Sequence, residues 1–134
     1  MADRLSSSGP IYIQLLDHFL IAIVQGTWPP GEKIPSVRQL ALQFEVNPNT
    51  VQKSLSQLED LGLAQSQRTA GRFVTTDEER IEEVRKKLAL REVKTFAQTM
   101  VQLGVSPDRA CQLTRDNWPG EDQVDPRLRL QEKE

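Results

Sequence analysis

The run Asn47-Pro48-Asn49-Thr50-Val51-Gln52-Lys53 places two asparagines, a threonine, a glutamine and a lysine within seven positions. Asparagine and glutamine can each meet an adenine edge with two hydrogen bonds. Thr50 can bond a phosphate or touch a thymine methyl, and Lys53 can reach a phosphate. If the run opens a helix, the helix N-terminus itself favours a phosphate. The same residues have a plainer use, in which Asn47 only caps the helix and the others form a solvated face. Residue types alone leave both uses open.

Other chemistries find no support. His18 is the single histidine, and it has no Cys or His at metal-ligand spacing, so no zinc site is expected. There is no nucleophile–base pair, no glycine-rich phosphate loop and no Walker pattern, so neither an enzyme nor a bound cofactor is expected. Cys111 stands alone, which rules out a disulfide within one chain. It reads as a small buried apolar residue. No run approaches the ~18 apolar residues that span a bilayer. The longest apolar patch, Phe19 to Val24, lacks a cleavage site after it, so a cytoplasmic protein without signal peptide or membrane anchor is expected.

Charge gives little encouragement to a polyanion. The net charge is −2, and residues 1–76 hold six Lys/Arg against six Asp/Glu, while residues 77–134 hold eleven against thirteen. A sequence-independent binder driven by counterion release is normally more basic. Binding to nucleic acid must therefore rest on a few placed residues, with weak non-specific affinity.

The polar run needs elements to hold it. Residues 1–9 are polar and serine-rich and read as a disordered N-terminus. After Pro10, the spacing of Ile11, Leu15, Leu16, Phe19, Leu20, Ile23 and Val24 predicts a helix of about four turns ending at Gly26. Trp28-Pro29-Pro30-Gly31 reads as a turn. Ser36 and Gln39 form a capping box ahead of a short helix with Val37, Leu40, Ala41 and Phe44 on one side. Asn47 then caps a second helix with Pro48 at its first position, and Val51, Leu55, Leu58 and Leu61 continue the stripe to Gly62. Leu63–Ser66 and Phe73–Thr76 read as strands of a hairpin with a polar tip at residues 67–72. Two helices joined by a short turn and followed by a hairpin can bind DNA, because the second helix fits the major groove.

From Asp77 the pattern changes. Acids at Asp77, Glu78 and Glu79 suit a helix start. Ile81, Val84 and Leu88 form one apolar stripe, and Ala89, Val93, Phe96, Met100 and Leu103 form another, so the apolar face rotates near Leu88. Glu82 and Glu83 pair with Arg85 to Lys87 along a solvated face. Gly104 ends the helix. Ser106-Pro107-Asp108 opens a short one that runs to about Arg115, and residues 117–134 read as a flexible tail.

Several segments taken together resemble the N-terminal domain of the GntR family of bacterial transcription regulators. They are Pro10-Ile11-Tyr12-Ile13-Gln14, Gly26, Pro30 through Ala41, Val46 through Val51, Leu58-Glu59 and Gly62-Leu63. The resemblance spans roughly residues 10–76. It implies a winged helix that binds a palindromic double-stranded operator as a homodimer. It makes Arg38 a base- or phosphate-contacting arginine and puts Asn47, Asn49, Thr50 and Lys53 on DNA-facing positions, with Gln52 beside them. Wings of this family usually read Arg-Gly-any-Gly-any-Phe-Val, whereas this one reads Arg68-Thr69-Ala70-Gly71-Arg72-Phe73-Val74. Thr69 resists the positive φ a glycine would take there. The wing, Arg68 to Arg72 with Gly71 retained, is thus expected to bind through Arg68 and Arg72 rather than by inserting its backbone into the minor groove.

Only 58 residues follow Thr76, too few helices to enclose a ligand cavity of ~300 Å³. This short appendage resembles the YtrA-type subfamily, whose tail chiefly dimerises the protein. That makes Ile81, Val84, Leu88, Val93, Phe96, Met100 and Leu103 dimer-interface candidates, with packing inside one subunit as the alternative. The expected architecture is mainly α: a winged helix-turn-helix with a small β-hairpin wing over residues 10–76, then a two-helix dimerisation appendage over 77–116. The expected function is a sequence-specific, homodimeric transcription regulator, a repressor. Two alternatives stand beside it: a winged helix used as a protein-interaction module, which the neutral first half would suit, and a regulator that senses a small effector in a cleft between subunits.

Overall fold

The computed structural model describes residues 9–120. The expected disordered start and flexible tail lie outside these residues, apart from Gly9 and Asn117–Gly120. Five helices and one hairpin follow in the order α1 (Ile11–Gln25), α2 (Val37–Phe44), α3 (Pro48–Asp60), β1 (Ala64–Gln67), β2 (Gly71–Val74), α4 (Glu78–Gln102) and α5 (Pro107–Asp116). The mainly helical winged-helix architecture expected from the sequence is the one observed.

Local chemistry places the ends of these elements. Ser36 Oγ accepts from the Gln39 N–H at 3.1 Å, and Gln39 Oε1 accepts from the Ser36 N–H at 2.8 Å, so both halves of the capping box form. Asn47 Oδ1 accepts from the Asn49 N–H at 2.7 Å, with Pro48 opening α3. Gly62, at φ 77°, stops α3. There the Leu63 N–H reaches the Leu58 carbonyl and the Gly62 N–H the Glu59 carbonyl, a pairing that needs a left-handed residue.

The core sits where α1, α2 and α3 meet. Phe19 is fully buried, stacked on Trp28 at 5.1 Å and edge-on to Phe44 at 6.0 Å. Leu15, Leu40, Val51, Leu55, Leu58 and Leu63 are also fully buried around it. His18 lies at the rim of this core, half-buried and edge-on to Phe44.

The hairpin pairs Ala64 with Val74 and Gln67 with Gly71, so both strands sit slightly off the positions expected for them. β2 also has a partner on its other side. The Ile34 N–H donates to the Arg72 carbonyl at 2.8 Å and the Val74 N–H to the Glu32 carbonyl at 2.9 Å, with an antiparallel bridge between Lys33 and Phe73. The stretch after the Trp28–Gly31 turn thus acts as a third, short edge of the wing.

α4 is a single 25-residue helix with two different surroundings. Ile81 and Val84 are buried in the protomer's own core and Leu88 packs against it. From Ala89 to Thr99 every residue is exposed. Arg91 Nη1 reaches Asp17 Oδ1 of α1 at 3.3 Å, and the Arg85 guanidinium reaches the Val24 carbonyl at 2.5 Å and also pairs with Glu82. α5 folds back with Ala110 buried. Cys111 is exposed, contrary to the buried position expected for it. Among the described residues no helix is long and apolar enough to cross a membrane, and no three His, Cys, Asp or Glu side chains gather in a way that could hold a metal ion.

Candidate nucleic-acid interface

α3 has two unlike faces. Val51, Ser54, Leu55 and Leu58 point into the core. Asn49, Gln52 and Lys53 are exposed and Thr50 is half-exposed. Asn47 is exposed as well, and its side chain is committed to capping. Asn49, Thr50 and Lys53 line one shallow recess together with Ile11 and Tyr12 from the start of α1. Arg38, exposed in the first turn of α2, lines a second recess that reaches Pro48. The structure therefore brings Arg38 and the polar half of α3 to neighbouring positions around the start of that helix.

The wing is built differently from the expectation. Its tip closes with the Ala70 N–H on the Gln67 carbonyl at 3.0 Å. Thr69 takes φ 61° in spite of its branched side chain, a conformation that costs a non-glycine roughly 1–2 kcal/mol. Gly71 sits at φ 113°, and a Cβ there would stand 2.8 Å from Lys33 Cε. Lys33, which the sequence did not single out, therefore lies along the outer edge of β2, its backbone bridged to Phe73 and its side chain reaching Gly71 beside the tip of the wing. Arg68 is exposed near the tip.

Arg72 is turned inward. Its Nε is 2.8 Å from Glu59 Oε2, and its side chain is only 17% exposed. Ser66 Oγ donates to the same carboxylate oxygen at 2.5 Å. Arg72 is thus a strut between the wing and the last turn of α3, not a free cation beside Arg68. Composition could not show this, because the pair is separated by thirteen residues.

The Ser66 hydroxyl and then the Arg72 guanidinium hold the Glu59 carboxyl below its usual range. A carboxyl whose pKa is lowered on folding adds stability above its unfolded pKa, about 4.3, and loses it as pH falls through the lower folded value. Glu59→Gln should therefore destabilise the protein at pH 7 by about 1 kcal/mol, or roughly 4 °C. The gap to wild type should begin to narrow below the unfolded pKa of about 4.3 and close as pH falls through the lower folded value. Melting curves from pH 7 to 3 check this, and a gap that stays constant would remove the charge from the account.

A second arginine secures α3 from the other side. Arg80 Nε donates to the Leu61 carbonyl at 2.8 Å, and Nη1 pairs with Glu83 at 2.9 Å. The C-terminal end of α3 is thereby tied to the wing through Glu59 and to α4 through Arg80.

The dimer candidates divide. Ile81 and Val84 are satisfied inside the protomer, and Leu88 is partly so, because α4 lies against α1 there. Met100 is half-buried. Val93, Phe96 and Leu103 are exposed by 56%, 43% and 66%, joined by Leu90 at 53% and Val101 at 75%. Leu90 stands one helical turn before Val93, a spacing that could have flagged it.

Comparison with known proteins agrees with this geometry. Residues 11–74 match the model of bacterial regulatory proteins of the gntR family. Over 108 residues the chain is 36% identical to the uncharacterized HTH-type transcriptional regulator YhcF of Bacillus subtilis, covering 81% of this chain and 89% of that one. It is 39% identical over 69 residues to the HTH-type transcriptional repressor YtrA of the same organism, covering 52% of this chain and 53% of YtrA. A solved GntR family transcriptional regulator from Listeria monocytogenes superposes with a TM-score of 0.77 at 32% identity, over 83% of this chain and 97% of that one. The chain belongs to the GntR family, and within it resembles the YtrA-type members: it is a DNA-binding transcription regulator, not an enzyme.

Proposed function

We propose that the protein binds a palindromic operator as a homodimer and represses transcription by occluding a promoter. The observation that carries this is the division of α4, whose first turns fill the protomer's core while its second half leaves that core with Leu90, Val93 and Phe96 uncovered. A helix exposed all round is marginal by itself, so this segment calls for a partner surface. A second copy supplies an identical one and sets two α3 helices on one face of a duplex. The repressor role is supported by the name of its relative YtrA. In each half-site, Asn49, Thr50, Gln52 and Arg38 meet base edges, Lys53 and the start of α3 meet phosphates, and Arg68 meets the backbone beside the wing. Residues 10–76 form the DNA-binding unit and 77–116 the pairing unit.

The test is selection from a pool of random duplexes by the full chain. The expected product is an inverted repeat whose half-site centres lie about 34–36 Å apart, or a multiple of that. Enrichment of single half-sites would overturn the dimeric reading, and no enrichment at all would overturn DNA recognition.

A further inference from the structure

Lys53 Nζ stands 3.9 Å from the centroid of the Tyr12 ring, a cation held over an aromatic face. We propose that Tyr12 is a positioning residue for DNA binding: its ring presets the Lys53 ammonium at the mouth of the α3 recess without neutralising it. This rests on the reading of that recess as a phosphate site.

Three observations carry the proposal. The first is how firmly the ring is placed. Ser54, fully buried on α3, donates its hydroxyl to the Tyr12 carbonyl at 2.7 Å, so the first turn of α1 is pinned to α3 one residue from Lys53. The ring itself is half-buried. The second is the company Lys53 keeps. Among the described residues it forms no ion pair, whereas Arg72, Arg80, Arg85 and Arg91 each face a carboxylate. An arginine such as Arg72 is ordered at the cost of its free charge, whereas a π face orders a cation and leaves the charge intact for an anion. The third is location, since Tyr12, Asn49, Thr50 and Lys53 line the same recess at the start of α3, where the helix end also favours an anion. A lysine side chain loses much rotamer freedom on docking, and a preset one loses less. In a chain whose first 76 residues are electrically neutral, one well-held cation matters more than it would in a basic protein.

The experiment uses the full chain and a duplex recovered in the selection above, with affinity measured at several salt concentrations. Lys53→Met should weaken binding and reduce the slope of log affinity against log salt by about 1. Tyr12→Leu should weaken binding about 3- to 5-fold with the slope nearly unchanged, because the phosphate contact survives but is less well prepared. Tyr12→Phe and Tyr12→Trp should bind like wild type, since both keep a π face. In the Lys53→Met background, Tyr12→Leu should have no further effect. An equal loss from Tyr12→Leu in both backgrounds would overturn the proposal, as would a loss from Tyr12→Phe as large as that from Tyr12→Leu, which would assign the hydroxyl its own DNA contact. If Lys53→Met left affinity and slope untouched while Arg38→Ala weakened binding, Tyr12 and Lys53 would lose their roles and the interface would stand. If wild type bound no duplex, the interface itself would fall, and the proposal with it.

Discussion

Val93→Asp combined with Phe96→Asp should give a monomer whose affinity for the selected inverted repeat is at least about 100-fold lower, because a linked second half-site typically adds two to four orders of magnitude. The two side chains are exposed by 56% and 43%, so the protomer's own packing gives no reason for the fold to suffer. In a dimer the same positions lie in an apolar contact, where an unpaired carboxylate is strongly unfavourable. Val93 and Phe96 are better probes than Met100, which is half-covered in the protomer, and than Ile81 or Val84, where a charge would damage the core directly. Sedimentation velocity reads the mass and a gel shift at fixed salt reads the affinity. An intact dimer in the double variant would remove the interface from the second half of α4.

Arg38→Ala should lower operator affinity about 10- to 100-fold, the equivalent of about 1–3 kcal/mol for a base-contacting arginine. Its melting temperature should stay with wild type. Arg38 is exposed, and the capping box that starts α2 belongs to Ser36 and Gln39. Arg38→Lys separates two roles for the residue. A lysine keeps a phosphate contact as a point charge but cannot reproduce a bidentate pair with guanine. If Arg38→Lys restores affinity across all duplex sequences, Arg38 is a phosphate contact. If it binds as weakly as Arg38→Ala at one base position only, Arg38 reads that base. Unchanged affinity in Arg38→Ala would take it out of the interface.

The sequence was most informative where structure is set locally. Ser36 with Gln39, Asn47 with Pro48, and Gly62 after Leu58 each mark a helix end through hydrogen bonds spanning a few residues, and each end is found where those signals put it. The sequence was least informative where a partner is distant. Arg72 looks like a free wing cation until Glu59, thirteen residues earlier, is placed beside it. Residues 32–34 carry no strand signal of their own, because their partner, β2, lies some forty residues on. The Ile81, Val84 and Leu88 stripe shows that one side of α4 is apolar but not which surface covers it, and the covering surface is α1 of the same chain. Tyr12 carries no signal toward Lys53 at all, since only the packing of α1 on α3 brings them together. Thr69 by its residue type resists positive φ, yet it takes φ 61° in the turn that closes the hairpin.

The unbroken path of α4 also ties spacing to phase. One helix is clamped to the reading unit at Arg80 and Ile81 and presents Val93 and Phe96 beyond it. Adding a single residue between those points would turn everything past it by about 100° and move it about 1.5 Å. Seven added residues would return the apolar face nearly to its starting direction, but about 10 Å farther out. In the proposed homodimer, the distance between half-sites would therefore be written in the length of one helix, in near-heptad steps. On that proposal, operators of different spacing would be reached by changing that length while the residues proposed to face the bases stay the same.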